Sequence, residues 1–198
     1  MNLVERVKEI IVKPQETWEK IKGEETTIKD LYTSYACILA LIPAIASFIG
    51  MSLVGVGISF MGISYRVPVG TGLVHAILQY VLTLVGIYVV AFIIDALAPS
   101  FDSKKNMVAA MKVAVYASTP AWIAGILGII PMLGILVIIA SLYGLYLFYV
   151  GLPILMETPK EKVLGYFVVV IVVAVIVSVL IGVFAGLVVS RPATMMMR

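Results

Sequence analysis

From about residue 31 onward, apolar residues run in five long stretches, roughly 31–54, 72–98, 107–130, 132–156 and 163–189. Crossing a hydrocarbon core takes about 20 residues of helix, and backbone polar groups in lipid must be satisfied within the segment. Each stretch therefore predicts a transmembrane helix. The third and fourth are divided only by Pro131, Met132 and the nearby Gly134, which predicts a tight helical hairpin. The fifth has 27 residues, about 40 Å as a helix against a core of about 30 Å, so it must tilt or protrude.

The segment before the first stretch has a different pattern. Leu3, Val4, Val7, Ile10 and Ile11 recur at helical spacing, with Asn2, Glu5, Lys8 and Glu9 opposite. Pro14 then opens a second short helix carrying Trp18 and Ile21, and Gly23 marks its end. Two readings stand side by side. The pair lies in the inner interface with Trp18 as its anchor, or the same stripe packs under the bundle. Thr27 with Asp30 three residues on predicts a capping box at the start of the first span. Between the first two spans, about residues 55–71, the chain is Gly-rich yet apolar, with a Gly-Ile-Ser repeat at 57–59 and 62–64. This predicts a loop hugging the outer interface.

Composition agrees with a membrane protein. Of 198 residues 62% are hydrophobic and 13% charged, whereas soluble domains are about half apolar and a quarter charged. Thirteen of the 25 charged residues lie in the first thirty positions. No apolar stretch precedes residue 31 as a signal peptide would require, so the first span is expected to serve as the insertion signal. Cys37, the only cysteine, allows no internal disulfide, and a net charge of +3 is too small to suggest nucleic acid.

Lys and Arg set the direction. With the N-terminus in the cytoplasm, eleven of the fourteen fall on the cytoplasmic side, and Arg66, Arg191 and Arg198 fall outside. The expected fold is thus an all-α integral membrane protein of the cell membrane, preceded by short interfacial amphipathic helices. It has five transmembrane helices, the N-terminus cytoplasmic and the C-terminus outside. Residues 1–30 form the cytoplasmic segment, 31–189 the transmembrane domain and 190–198 a short external tail.

Candidate chemistry is sparse. The sequence holds one histidine, His75, no His-Glu-x-x-His zinc motif and no Gly-x-Ser-x-Gly elbow. No catalytic, metal or cofactor site is expected. Asp95, the only acid within the spans, lies near the inner end of the second, and Lys112 lies just inside the third. A buried charge in a membrane usually finds a partner, so the two are expected to approach each other, joined by Tyr116, or else to snorkel separately. His75, Gln79 and Thr83 form a polar stripe at i, i+4 spacing, suited to interhelical hydrogen bonds or to a wet crevice. Asp95 stands roughly 120° around the helix from Thr83, so the two features make no continuous path.

Small residues recur every four positions in the fifth span at Ala174, Ser178, Gly182 and Gly186, a face for helix packing or dimerisation. Similar faces run through Ala117, Ala121 and Gly125 in the third span, and Gly134, Ser141, Gly144 and Gly151 in the fourth. Tyr143, Tyr146 and Tyr149 suit an interface. Pro43, Pro120 and Pro153 are expected to kink their helices, freeing carbonyls for residues such as Ser118 and Thr119.

Several motifs together resemble the Ypt-interacting-protein (Yip) domain family, in its prokaryotic branch. They are Pro14-x-x-Thr17-Trp18, Asp30-Leu31-Tyr32, Asp95-Ala96-Leu97-Ala98-Pro99, and Tyr116-Ala117-Ser118-Thr119-Pro120-Ala121-Trp122. Ile130-Pro131, Leu142-Tyr143-x-x-Tyr146, Gly151-Leu152-Pro153 and Pro159-x-Glu161-Lys162 follow in order, and the likeness covers about residues 8–180. The resemblance implies a five-span membrane protein of vesicle-traffic and membrane-shaping kin. Eukaryotic members bind Rab-type GTPases, often through a longer cytoplasmic region. Here that region has about thirty residues, and Thr33-Ser34 stands where those relatives usually carry Gly-Pro, which argues against Rab-type GTPase binding. The expected function is non-enzymatic organisation or scaffolding of the bilayer, with a membrane-protein partner or second copy. The competing expectation is a small transporter or channel using the intramembrane polar residues.

Overall fold

The computed structural model describes residues 2–58 and 63–189. Helix α1 (Leu3–Val12) starts at Asn2, whose side chain accepts from the amides of Val4 and Glu5. Helix α2 (Pro14–Gly23) has Pro14 in its first turn, where a missing amide proton costs nothing. The expected capping box is present. Thr27 accepts from the Asp30 amide while the Asp30 carboxylate accepts from the Thr27 amide.

From there a continuous helix runs Ile28–Val54. It comprises α3 (Ile28–Leu31), a π-turn, α4 (Cys37–Phe48) and a second π-turn ending at Val54. Helix α5 (Val69–Leu97) ends in a 3-10 turn at Ala98–Phe101. The third span is divided. Helix α6 (Met107–Ala117), capped by Asn106, gives way at Ser118 to α7 (Thr119–Ala124), and Pro120 falls in the first turn of α7. The Ser118 hydroxyl donates to the Ala114 carbonyl at 2.8 Å, bridging the break. Pro43 and Pro153, by contrast, sit inside α4 and α8 (Gly134–Met156). Two 3-10 turns around Ile130 join α7 to α8 directly, giving the tight connection the sequence predicts. Helix α9 (Val163–Val189) follows.

One element departs from an all-helical expectation. Strands β1 (Val56–Ile58) and β2 (Ile63–Tyr65) pair antiparallel within the loop after the first span, with Val56 opposite Tyr65. β-Branched and aromatic residues beside glycine favour such a pairing, and the apolar content of the loop had masked it.

Four helical stretches among the described residues are long and apolar enough to cross a membrane: Ile28–Val54, Val69–Phe101, Met107–Ile129 and Gly134–Met156. A shorter apolar helix, Val163–Val177, lies in α9. Their outward faces carry Phe92, Leu142, Val172 and many other exposed aliphatic side chains. A water-facing surface of that kind would be untenable, so the protein is an all-α membrane protein.

α6 stands at the centre, packed against α5 and α8. Every residue from Ala109 to Ala117 is buried, which explains how the least apolar span can hold a lysine. Helix contacts are closest where glycine removes a side chain. A Cβ on Gly144 would lie 2.7 Å from the Ala117 carbonyl oxygen, and one on Gly151 would lie 2.6 Å from the Trp18 ring.

Candidate functional site

The N-terminal helix pair is folded against the bundle. Ile10, Trp18 and Ile21 are fully buried and join one continuous core with α6 and α8. Of the two sequence readings, packing against the bundle matches the full burial of Trp18. The indole makes an edge contact to Tyr116 with ring centroids 6.1 Å apart, on the glycine notch of α8. The site removes the whole ring from water, although the indole nitrogen is buried there with no hydrogen-bond partner among the described residues. The buried face of α1 is also rotated from the expected stripe. Val4 is 73% exposed, whereas Arg6 is only 6% exposed.

Arg6 is tolerated there because its charge is compensated. Its guanidinium pairs with the Glu24 carboxylate, lies 3.9 Å from Glu9, and sits 5.9 Å from the centre of the Tyr116 ring. Tyr116 in turn packs edge-on against Tyr35 at 4.8 Å, and the Tyr35 hydroxyl shares a 2.9 Å hydrogen bond with Thr119. On the other side, the Tyr143 hydroxyl donates to the Ile11 carbonyl at 2.7 Å. Outside the core, Lys20 donates to Glu9 at 2.8 Å, tying α2 to α1. That contact holds the Glu9 carboxyl below its ordinary value and the Lys20 ammonium above its own.

Lys112 does not meet Asp95. Its ammonium donates to the main-chain carbonyls of Ile21 at 2.9 Å and Glu24 at 2.6 Å. Both carbonyls stand at the end of α2, where the helix dipole is negative, and that of Ile21 also accepts from the Glu24 amide at 3.3 Å. A lysine one turn before Tyr116 therefore clamps the same helix that Tyr116 supports. Asp95 is 8% exposed, and its Oδ1 is buried with no hydrogen-bond partner among the described residues. The nearby Tyr166 hydroxyl donates instead to the Ile94 carbonyl.

The polar stripe on α5 is split between separate uses. Gln79 accepts from Ser47 of α4 at 3.0 Å, Thr83 bonds back to the Gln79 carbonyl at 2.8 Å, and His75 is exposed. Ala174 lines an apolar cavity of about 290 Å³ among α5, α6, α7, α8 and α9, together with Ala117, Ala121, Ser141 and Gly144. Gly182 and Gly186 lie in the α9 backbone, and the side-chain surroundings of Ser178 and both glycines fall outside the described residues.

Beside the Lys112 clamp opens a polar cleft of about 640 Å³, with Lys22, Glu25, Asp30, Lys104 and Glu157 in its walls. Among the described residues no group of three His, Cys, Asp or Glu side chains could hold a metal ion. The sequence reading missed the roles of Arg6, Glu24 and Tyr35, and gave Thr119 a backbone partner where it meets Tyr35. Only Arg6 left a signal, a cation one turn from Ile10 on the face that packs inward.

Residues 8–182 match the family model of the Yip1 domain. Two curated relatives, each called inner membrane protein YohC, come from Escherichia coli K12 and from E. coli O6:H1. Each is 28% identical over 156 residues, covering 77% of this chain and 80% of the relative. No solved structure matches the chain.

Proposed function

The chain belongs to the Yip1 domain family of membrane proteins, and from that premise we propose that it is a non-enzymatic scaffold of the cell membrane. The observation that carries the reading is the docked α1–α2 pair. Arg6, Trp18, Lys112 and Tyr143 fix two amphipathic helices to one end of the bundle. Their outward charges and the adjoining cleft then form a rigid polar platform at the membrane surface. A platform suits recognition of a membrane-protein partner or a second copy. A solute path would need polar groups in sequence across the bilayer, and here Gln79 and Lys112 are engaged in separate interhelical contacts.

In this reading residues 31–189 make five spans, α9 being the fifth. The N-terminal segment 1–30 is cytoplasmic, the tail 190–198 is external, and the compartment is that of the bacterial inner-membrane relatives. The basic residues favour this direction, since Lys104, Lys105, Lys160 and Lys162 fall on the same side as α1 and α2. Single cysteines introduced at residues 2 and 161, in a Cys37→Ala background, are expected to react only from the cytoplasmic face.

Transport is the second reading, and the unpartnered Asp95 oxygen is what favours it. Proteoliposomes carrying the wild type or Asp95→Asn, loaded with ions and small solutes, separate the two. The scaffold reading expects no flux above protein-free vesicles. Reproducible flux that depends on Asp95 overturns it.

A further inference from the structure

A second cavity, of about 880 Å³, lies between α2 and the end of α8 and shares Lys22 with the cleft beside Lys112. Its floor is the last two turns of α8, with Tyr149, Pro153 and Ile154 exposed to it. Its rim is charged, with Glu16, Glu19 and Lys22 from α2 and Lys160 from the turn before α9. A smaller cavity of about 340 Å³ shares Gln15 and Glu16 with it and carries the groove on to Tyr146 and Lys13. The volumes match ligand sites, which run about 300–1,000 Å³.

The groove changes character where a bilayer does. α8 is apolar up to Met156, so its final turns stand where hydrocarbon gives way to headgroups. Apolar floor and charged rim therefore meet at headgroup depth. Two of the four rim charges are already shared, Glu16 with Lys13 at 3.4 Å and Lys22 with Glu157 at 3.9 Å. Glu19 and Lys160 have no ion-pair partner among the described residues, and both are exposed. The rim thus offers one free anion and one free cation above an apolar trough.

We propose that this groove binds a phospholipid with a zwitterionic headgroup, phosphate on Lys160, ammonium on Glu19, and an acyl chain along Tyr149, Pro153 and Ile154. Charge complementarity selects the occupant. A purely anionic headgroup would satisfy Lys160 and oppose Glu16 and Glu19, whereas paired charges of both signs satisfy each. The proposal rests on α8 spanning the membrane and deepens the scaffold reading, since a held lipid would couple the docked helices to one leaflet.

The test uses purified full-length protein, stripped of lipid in mild detergent and offered equal amounts of dioleoyl phosphatidylethanolamine and dioleoyl phosphatidylglycerol. Retained lipid is counted by native mass spectrometry. The wild type is expected to favour phosphatidylethanolamine about three- to tenfold, the worth of one well-placed charge contact. The preference shrinks in high salt. Glu19→Lys is expected to reverse it, and Lys160→Glu to lower retention of both lipids. Both changes are on exposed side chains, so unchanged thermal unfolding confirms an intact fold. Equal retention by the wild type, or a preference that survives Glu19→Lys, overturns the site. Flux in the proteoliposome assay would overturn the scaffold reading while leaving a measured lipid preference standing. Loss of preference in protein that passes no solute overturns the lipid site alone.

Discussion

The Lys112 ammonium lies 2.6 Å from the main-chain carbonyl oxygen of Glu24, so a charge on the central helix closes the last turn of α2. Replacing it with methionine removes two charge-assisted hydrogen bonds and leaves the Ile21 carbonyl with only its 3.3 Å bond from the Glu24 amide. Lys112→Met is expected to loosen α2 by about 1–3 kcal/mol. Hydrogen exchange should rise in residues 14–24 by the corresponding one to two orders of magnitude, while the α5 and α8 cores keep their protection.

Gly151 is the notch that admits Trp18. An added methyl would meet the indole carbons at 2.6 Å, so Gly151→Ala is expected to cost about 1–3 kcal/mol through overpacking. Trp18→Ala is expected to cost about 3–5 kcal/mol by emptying the site. In a Trp122→Phe background, Trp18 emission should shift to the red in Gly151→Ala as the ring is displaced toward water.

The Tyr35–Thr119 bond is buried, so each partner is left unpaired when the other is trimmed. Tyr35→Phe and Thr119→Val are each expected to lower stability by about 1–3 kcal/mol. The double variant should lose clearly less than the sum of the two, read from thermal unfolding in one detergent. Additive losses would mean that the hydroxyls do not act as a pair.

Asp95 has the opposite sign. Its Oδ1 is buried without a partner, so removing the charge relieves a cost. Asp95→Asn is expected to raise the unfolding temperature by several degrees, roughly 1–2 kcal/mol. A destabilised variant would overturn the reading of Asp95 as a buried cost.

The Glu9–Lys20 tether predicts a pH window. The Glu9 carboxyl is lowered below 4.5 by the Lys20 hydrogen bond, so its contribution is full above 4.5 and fades as pH falls through the lower folded value. The Lys20 ammonium is raised above 10.5 by Glu9, so its contribution is full below 10.5 and fades above the higher folded value. Exchange protection of α1 should therefore be flat between those limits and fall on either side, modestly, because both groups are exposed and screened. Glu9→Gln should abolish both limbs.

Features set by neighbouring residues were the ones legible in the sequence. The Thr27–Asp30 box, the Pro14 helix start and the hairpin at Pro131 depend on a few adjacent positions. The apolar runs likewise reveal the spans, because lipid demands them residue by residue. Lys112 was misread for a physical reason. Its partners are backbone carbonyls, which every residue has and no side-chain pattern marks, so the one visible acid, Asp95, looked like the natural match. Trp18 was ambiguous for a related reason, since an indole suits either an interface or a glycine notch, and Gly151 lies 133 positions away. Arg6 broke the apolar stripe, yet its compensation by Glu24 and the Tyr116 face could not be inferred before the helices met.

The clamp on the N-terminal helices also imposes an order of assembly. Lys112 reaches back 91 residues to Ile21, and Tyr143 reaches back 132 residues to Ile11. The first thirty residues leave the ribosome before any of the surfaces that will hold them. They must wait, with Ile10, Trp18 and Ile21 uncovered, until the hairpin of α6 to α8 has entered the membrane. A nascent chain arrested before residue 112 would carry α1 and α2 undocked and open to protease. One long enough for α8 to have emerged would seal them, so α1 and α2 dock only after the helices that hold them.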